Sequence, residues 1–173
     1  YKAVAAATTK PIVLYNVPGR TGSNMTAETT LRLAQIDNIV AVKEASSKRD
    51  QILEILQNRP EGFAVLSGND DETLDLMQNG AEGVISVASN IVPSVVADLT
   101  HAMLEGDADA AQNLHDTLTP LFRDCFIESN PIPTKAALSA MGFIQNELRL
   151  PLVPASQGAY DQMLGTIKDL GLL

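Results

Sequence analysis

Four short apolar runs recur along the chain: IVLYNV from Ile12, IVAVK from Ile39, FAVLS from Phe63 and GVISV from Gly83, each about one βα unit after the last. Continuous rather than alternating apolar runs mark strands buried on both faces, as in a parallel sheet. The stretches between them carry helical spacing. MTAETTLRLAQI has Thr26 as a cap and an apolar face of Leu31 and Leu33 to Ile36, KRDQILEILQN brings Ile52, Ile55 and Leu56 together, and DDETLDLMQNG ends on Gly80. Four successive βα units are predicted.

After the fourth run the pattern becomes purely helical. PSVVADLTHAMLEG starts on Pro93 and stops at Gly106, Asp107 caps ADAAQNLHDTLTPLFRDCF with a bend expected at Pro120, and PIPTKAALSAMG and SQGAYDQMLGTIKDLG each close on a glycine. The expected organisation is residues 1–106 as βα units and residues 107–173 as a helical appendage. Such a chain fits an open doubly wound sheet or half of a (βα)8 barrel, a fold that typically needs roughly 250 residues. No G-x-G-x-x-G or G-x-x-x-x-G-K-[ST] follows a strand, which removes the strongest argument for a nucleotide-binding sheet. The opening YKAVAAATTKP, with no Met and no signal pattern, reads as the tail of a helix already under way, from processing or from a longer protein.

Composition narrows the partners. Twelve basic against twenty-one acidic residues give a net charge of −9, which disfavours nucleic acid and anionic membrane surfaces and points to small molecules. The single cysteine, Cys125, excludes an internal disulfide framework, sits on an apolar helical face and fits a cytoplasmic protein. Asp70, Asp71 and Glu72 open a helix whose dipole favours them, and His101 and His115 lie apart without ligand spacing, so no metal site is expected.

The chemistry gathers at strand ends, where parallel α/β barrels keep their functional groups. Tyr15 ends the first run, Arg20 follows it in NVPGR, and Lys43 ends the second with Ile39 and Ala41 on the same strand face. An ammonium among apolar residues is destabilised, which leaves more neutral amine to attack a ketone. Tyr15 would shuttle protons and Arg20 would offer a planar fork to a carboxylate. The alternatives stay open on these residues alone: Lys43 snorkelling to solvent beside Glu44 or Glu28, Tyr15 as a core aromatic, and Arg20 as a solvated turn residue.

YNVPGRTG, VAVKEAS with Lys43 twenty-eight positions after Tyr15, LSGNDD, GVISVASN and NPIPTKAAL closely resemble the dihydrodipicolinate (4-hydroxy-tetrahydrodipicolinate) synthases, within the wider superfamily of Schiff-base pyruvate aldolases and N-acetylneuraminate lyases. The likeness runs through essentially the whole chain and covers the C-terminal part of the family's sequence. It implies a lyase of lysine and diaminopimelate biosynthesis, built on the C-terminal half of a TIM barrel. Pyruvate would form an imine on Lys43, Tyr15 would relay protons, Arg20 would receive the carboxylate of aspartate semialdehyde, and the Ile85 backbone would touch pyruvate. It further implies no cofactor, no nucleic acid or membrane partner, and a dimer or tetramer at full length. The threonine pair of the family's GTTGE motif and its interface tyrosine belong to the N-terminal strands that this sequence does not include. Two other readings stand beside this one: a sugar-acid lyase of the same superfamily, against which Arg20 argues, and a non-catalytic half-barrel.

Overall fold

Each apolar run becomes a parallel strand, and each linking stretch returns the chain as a helix. The computed structural model describes every residue from Tyr1 to Leu173. The chain divides into two compact units, Tyr1–Ile85 and Ser86–Leu173. The first unit runs α1 (Lys2–Ala6), β1 (Ile12–Asn16), α2 (Pro18–Thr21), α3 (Ala27–Leu33), β2 (Ile39–Glu44), α4 (Arg49–Asn58), β3 (Ala64–Ser67), α5 (Thr73–Gln78) and β4 (Gly83–Val84). A 3-10 turn, Asp70–Glu72, opens α5 and places the acidic cluster at its start.

The four strands lie in the order β1-β2-β3-β4, all parallel. Every strand sits beside its predecessor, so the sheet has no point at which the winding reverses, the place where doubly wound sheets bind nucleotides. In-register rows cross it: Leu14, Val42 and Val65 form one and Asn16, Glu44 and Ser67 another, all six at most 2% exposed. Together with Ile52 and Ile55 of α4 they make the core of this unit. The opposite face is open along β1, where Val13 is 48% and Tyr15 is 49% exposed against the two-sided burial expected of the run, while Ile39 and Ala41 of β2 are buried on it.

The fourth strand is shorter than GVISV predicts. β4 pairs only with β3, and beyond Val84 the ladder adds one bond, from the Ile85 N–H to the Ser67 carbonyl at 2.9 Å. An edge strand with one neighbour has half the ladder to hold it.

The second unit is helical: α6 (Pro93–Glu105), α7 (Ala108–Asp124), α8 (Ile132–Ala140) and α9 (Gln157–Asp169). The caps read from the sequence form. Thr26 Oγ1 accepts from the Thr29 N–H at the start of α3, and Asp107 Oδ1 accepts from the Ala110 N–H at the start of α7. α8 ends as the glycine signal requires, with Gly142 at φ +81°, its N–H on the Ser139 carbonyl and the Phe143 N–H on that of Leu138. α7 continues through Pro120 to Asp124 as one helix. It packs on α6 and α9, with α8 against α9, around the buried Leu99, Leu118, Leu121, Met163 and Ile167. Cys125 is fully buried beside them.

Candidate active site

Tyr15 and Lys43 are register partners at the C-terminal ends of β1 and β2. Strand side chains alternate, so a residue and its in-register neighbour share one face of the sheet. Here that face is the open one. Lys43 Nζ lies 4.3 Å from the centroid of the Tyr15 ring, a cation–π distance, with Lys43 itself only partly buried. The lysine is therefore bounded on one side by an aromatic face with a phenol at its tip, and on another by β3. An ideal β-carbon on Gly68 would lie 3.0 Å from Lys43 Cε and 2.7 Å from Ala45 Cβ.

Arg20 occupies the last turn of α2, a single helical turn begun by Pro18 and closed by Gly22 at φ +69°. It is exposed, four residues beyond the end of β1. Ile85 follows β4 directly and is 41% exposed. All four expected residues thus lie at the same end of the sheet, and the pair in direct contact is Tyr15 with Lys43. Tyr15 also lines a cleft of about 280 Å³ with Val17, Thr21, Asn24 and Thr29.

Glu44 does not serve as a surface partner for the lysine. It is fully buried, and its two carboxylate oxygens accept from Asn16 Nδ2 at 2.8 Å and from Ser46 Oγ at 2.6 Å. Burial raises its pKa above the ordinary carboxylate value, the hydrogen bonds from Ser46 and Asn16 oppose the rise, and nearby Glu72 adds to it. Glu28 pairs instead with Arg32, 3.8 Å away. Sequence reasoning did not single out Asn16, Ser46 or Gly68. The available signal was adjacency: Asn16 and Glu44 repeat the twenty-eight-residue spacing of Tyr15 and Lys43, one position on.

A parallel α/β unit with a lysine and a tyrosine paired across two strand ends defines a class of proteins that place reactive groups at the C-terminal edge of a sheet. The match of residues 1–170 to the model of the Dihydrodipicolinate synthetase family is specific, and the chain belongs to that family. It is 49% identical over 173 residues to the 4-hydroxy-tetrahydrodipicolinate synthase of Parabacteroides distasonis, covering 99% of this chain and 58% of the relative. To that of Thermotoga neapolitana it is 45% identical over 177 residues, covering 100% of this chain and 60% of the relative. Among solved structures, the dihydrodipicolinate synthase of Thermotoga maritima superposes with a TM-score of 0.98 at 45% identity, over 100% of this chain and 60% of that one. A monomeric dihydrodipicolinate synthase variant superposes equally well, at 0.98 and 45%, over 100% and 59%. The chain therefore spans about three-fifths of the length of the proteins it matches.

Proposed function

We propose that these residues form the C-terminal half of a (βα)8 barrel with a helical appendage, and that the barrel condenses pyruvate with aspartate semialdehyde through an imine on Lys43. Residues 1–106 would be βα units five to eight, counting α6 as the last barrel helix, and residues 107–173 the appended domain. The unreversed strand order supports this, since a singly wound parallel sheet closes on itself once further strands extend it. β1 and β4, each paired with a single neighbour, are the edges at which those strands would join.

The observation that carries the function is the contact of Lys43 Nζ with the Tyr15 ring at the end of two paired strands. In its neutral form the amine attacks the ketone of pyruvate, a proton is delivered to the departing oxygen, and one water leaves as the imine forms. The Tyr15 phenol, a donor and an acceptor in one group, serves that delivery and the later removal of a methyl proton. The resulting enamine attacks the aldehyde carbon. Arg20 would orient that second substrate by its carboxylate, and the Ile85 backbone would meet pyruvate. Product leaves when the substrate's own amino group attacks the imine carbon, closing the ring of 4-hydroxy-tetrahydrodipicolinate and freeing Lys43. The full-length enzyme would act in the cytoplasm as a dimer or tetramer, without a cofactor. No helix is long and apolar enough to cross a membrane.

Borohydride reduction in the presence of pyruvate tests the reading. One pyruvate-derived mass should appear on the peptide that contains Lys43 in the full-length protein, and Lys43→Arg should abolish it, because a guanidinium stays protonated. A label on any other lysine would overturn the assignment.

A further inference from the structure

We propose that Asn16 and Glu44 are positioning residues, a clamp on the reverse face of the sheet that fixes how Tyr15 and Lys43 meet and anchors the segment bearing Arg20. The inference rests on the reading of Lys43 as the imine-forming amine. Asn16 and Glu44 are the next register pair after Tyr15 and Lys43, so alternation turns them to the covered face. Asn16 is 2% exposed and Glu44 is fully buried. Their side chains bond directly, Asn16 Nδ2 to Glu44 Oε1 at 2.8 Å.

The same asparagine reaches further. Its Oδ1 accepts from the Met25 N–H at 2.9 Å, and the Met25 carbonyl and Asn24 Oδ1, both 3.1 Å from Nδ2, share the N–H that does not go to Glu44. Asn24 Nδ2 in turn donates to Gln51 Oε1 at 2.8 Å, and Gln51 Nε2 donates to the Met25 carbonyl at 3.1 Å. One side chain thereby joins β1 to β2 and pins the return of residues 17–25, the excursion that carries Arg20. The backbone adds a tie at the same level, from the Ala45 N–H to the Asn16 carbonyl at 2.9 Å.

Stability alone does not account for this arrangement. A buried charge loses its hydration, and a hydrogen-bonded buried ion is often no more stabilising than a well-packed apolar group of its size. What the carboxylate supplies is direction, because both oxygens accept and only donors fit around it. A parallel pair that slips by one residue would turn its side chains to the wrong face, and this clamp forbids the slip beside the reacting amine.

The test is the rate of imine formation at saturating pyruvate in the full-length protein, by borohydride quenching at intervals and mass analysis of the Lys43 peptide. It is run at a temperature where circular dichroism shows each variant folded. Glu44→Gln and Asn16→Asp should each slow labelling by about tenfold to a hundredfold, the scale of a displacement of about 1 Å in a reacting group. Ser46→Ala, a milder change at a partly exposed site, covers the case in which Glu44→Gln does not fold, and should slow labelling by about threefold, as expected for one lost hydrogen bond of modest net worth. Unchanged labelling with a lowered melting temperature would mean that the clamp only holds the fold, and would overturn the proposal. An unlabelled wild-type protein would overturn the reading of Lys43 and this inference with it, whereas labelled wild type and equally labelled variants would overturn this inference alone.

Discussion

Gly68 leaves no room for a β-carbon beside Lys43: an added one would stand 3.0 Å from Lys43 Cε, 2.9 Å from the Glu44 carbonyl oxygen and 2.7 Å from Ala45 Cβ. The closeness has a cause in the backbone. The Gly68 N–H donates to the Glu44 carbonyl at 2.6 Å, which draws the end of β3 against the end of β2. Gly68→Ala should therefore push the lysine stem or the β2 terminus aside, costing about 1–3 kcal/mol of stability as overpacking does. Imine labelling should fall in the same variant. Wild-type labelling with wild-type stability would show that the strand ends yield freely.

Tyr15→Phe separates the ring from the phenol. The aromatic face over Lys43 Nζ stays, and the phenol proposed as proton carrier goes. Turnover should drop by about a hundredfold to ten-thousandfold, the usual worth of a general acid–base group, with a much smaller change in melting temperature. A stopped-flow assay and a thermal melt on the same preparation decide it; a variant that loses stability in proportion to activity would point to a packing role.

Arg20→Ala should raise the KM for aspartate semialdehyde by about tenfold to a hundredfold, as expected for one lost charge-assisted contact. The KM for pyruvate should stay within about twofold, because uniform binding of one substrate alone is removed. Equal effects on both constants would assign Arg20 to the shape of α2 instead.

Much of this architecture is legible in the order of residues. Parallel strands announce themselves at Ile12, Ile39, Phe63 and Gly83 as continuous apolar runs, although β1 is covered on one face only, with Val13 and Tyr15 exposed, and Thr26, Asp107 and Gly142 mark helix ends because capping is local chemistry. Tyr15 and Lys43 stand out because a phenol and an ammonium at the ends of apolar runs need a reason to be there. What the order of residues hides is what depends on register. Asn16, Glu44 and Ser46 look like ordinary polar residues after a strand until β1 and β2 are aligned, and only the alignment turns them inward. Gly68 is hidden similarly, since the lysine it meets is twenty-five residues earlier in the chain.

The helical unit holds a buried carboxylate of its own, Asp124, whose charge state should govern the acid stability of α9. Arg123 Nε and Nη2 donate to it at 2.6 and 3.0 Å, Gln162 Nε2 at 2.8 Å and Thr166 Oγ1 at 2.5 Å, the last two reaching from α9 to α7. Burial by itself would raise its pKa, but the donors from Arg123, Thr166 and Gln162 outweigh burial and the net shift is downward. A carboxyl whose folded pKa lies below its unfolded value, about 3.9 for aspartate, contributes stability that is full above the unfolded value and is lost as pH falls through the folded one. Thr166→Val should therefore cost about 1.5–3 kcal/mol near neutral pH, the range for a hydrogen bond to a charged group. The gap between wild type and Asp124→Asn should be widest near pH 7 and should close as pH is lowered through the carboxylate range. Chemical denaturation at a series of pH values measures it. A gap that does not narrow on acidification would mean that Asp124 holds α9 by shape and not by charge.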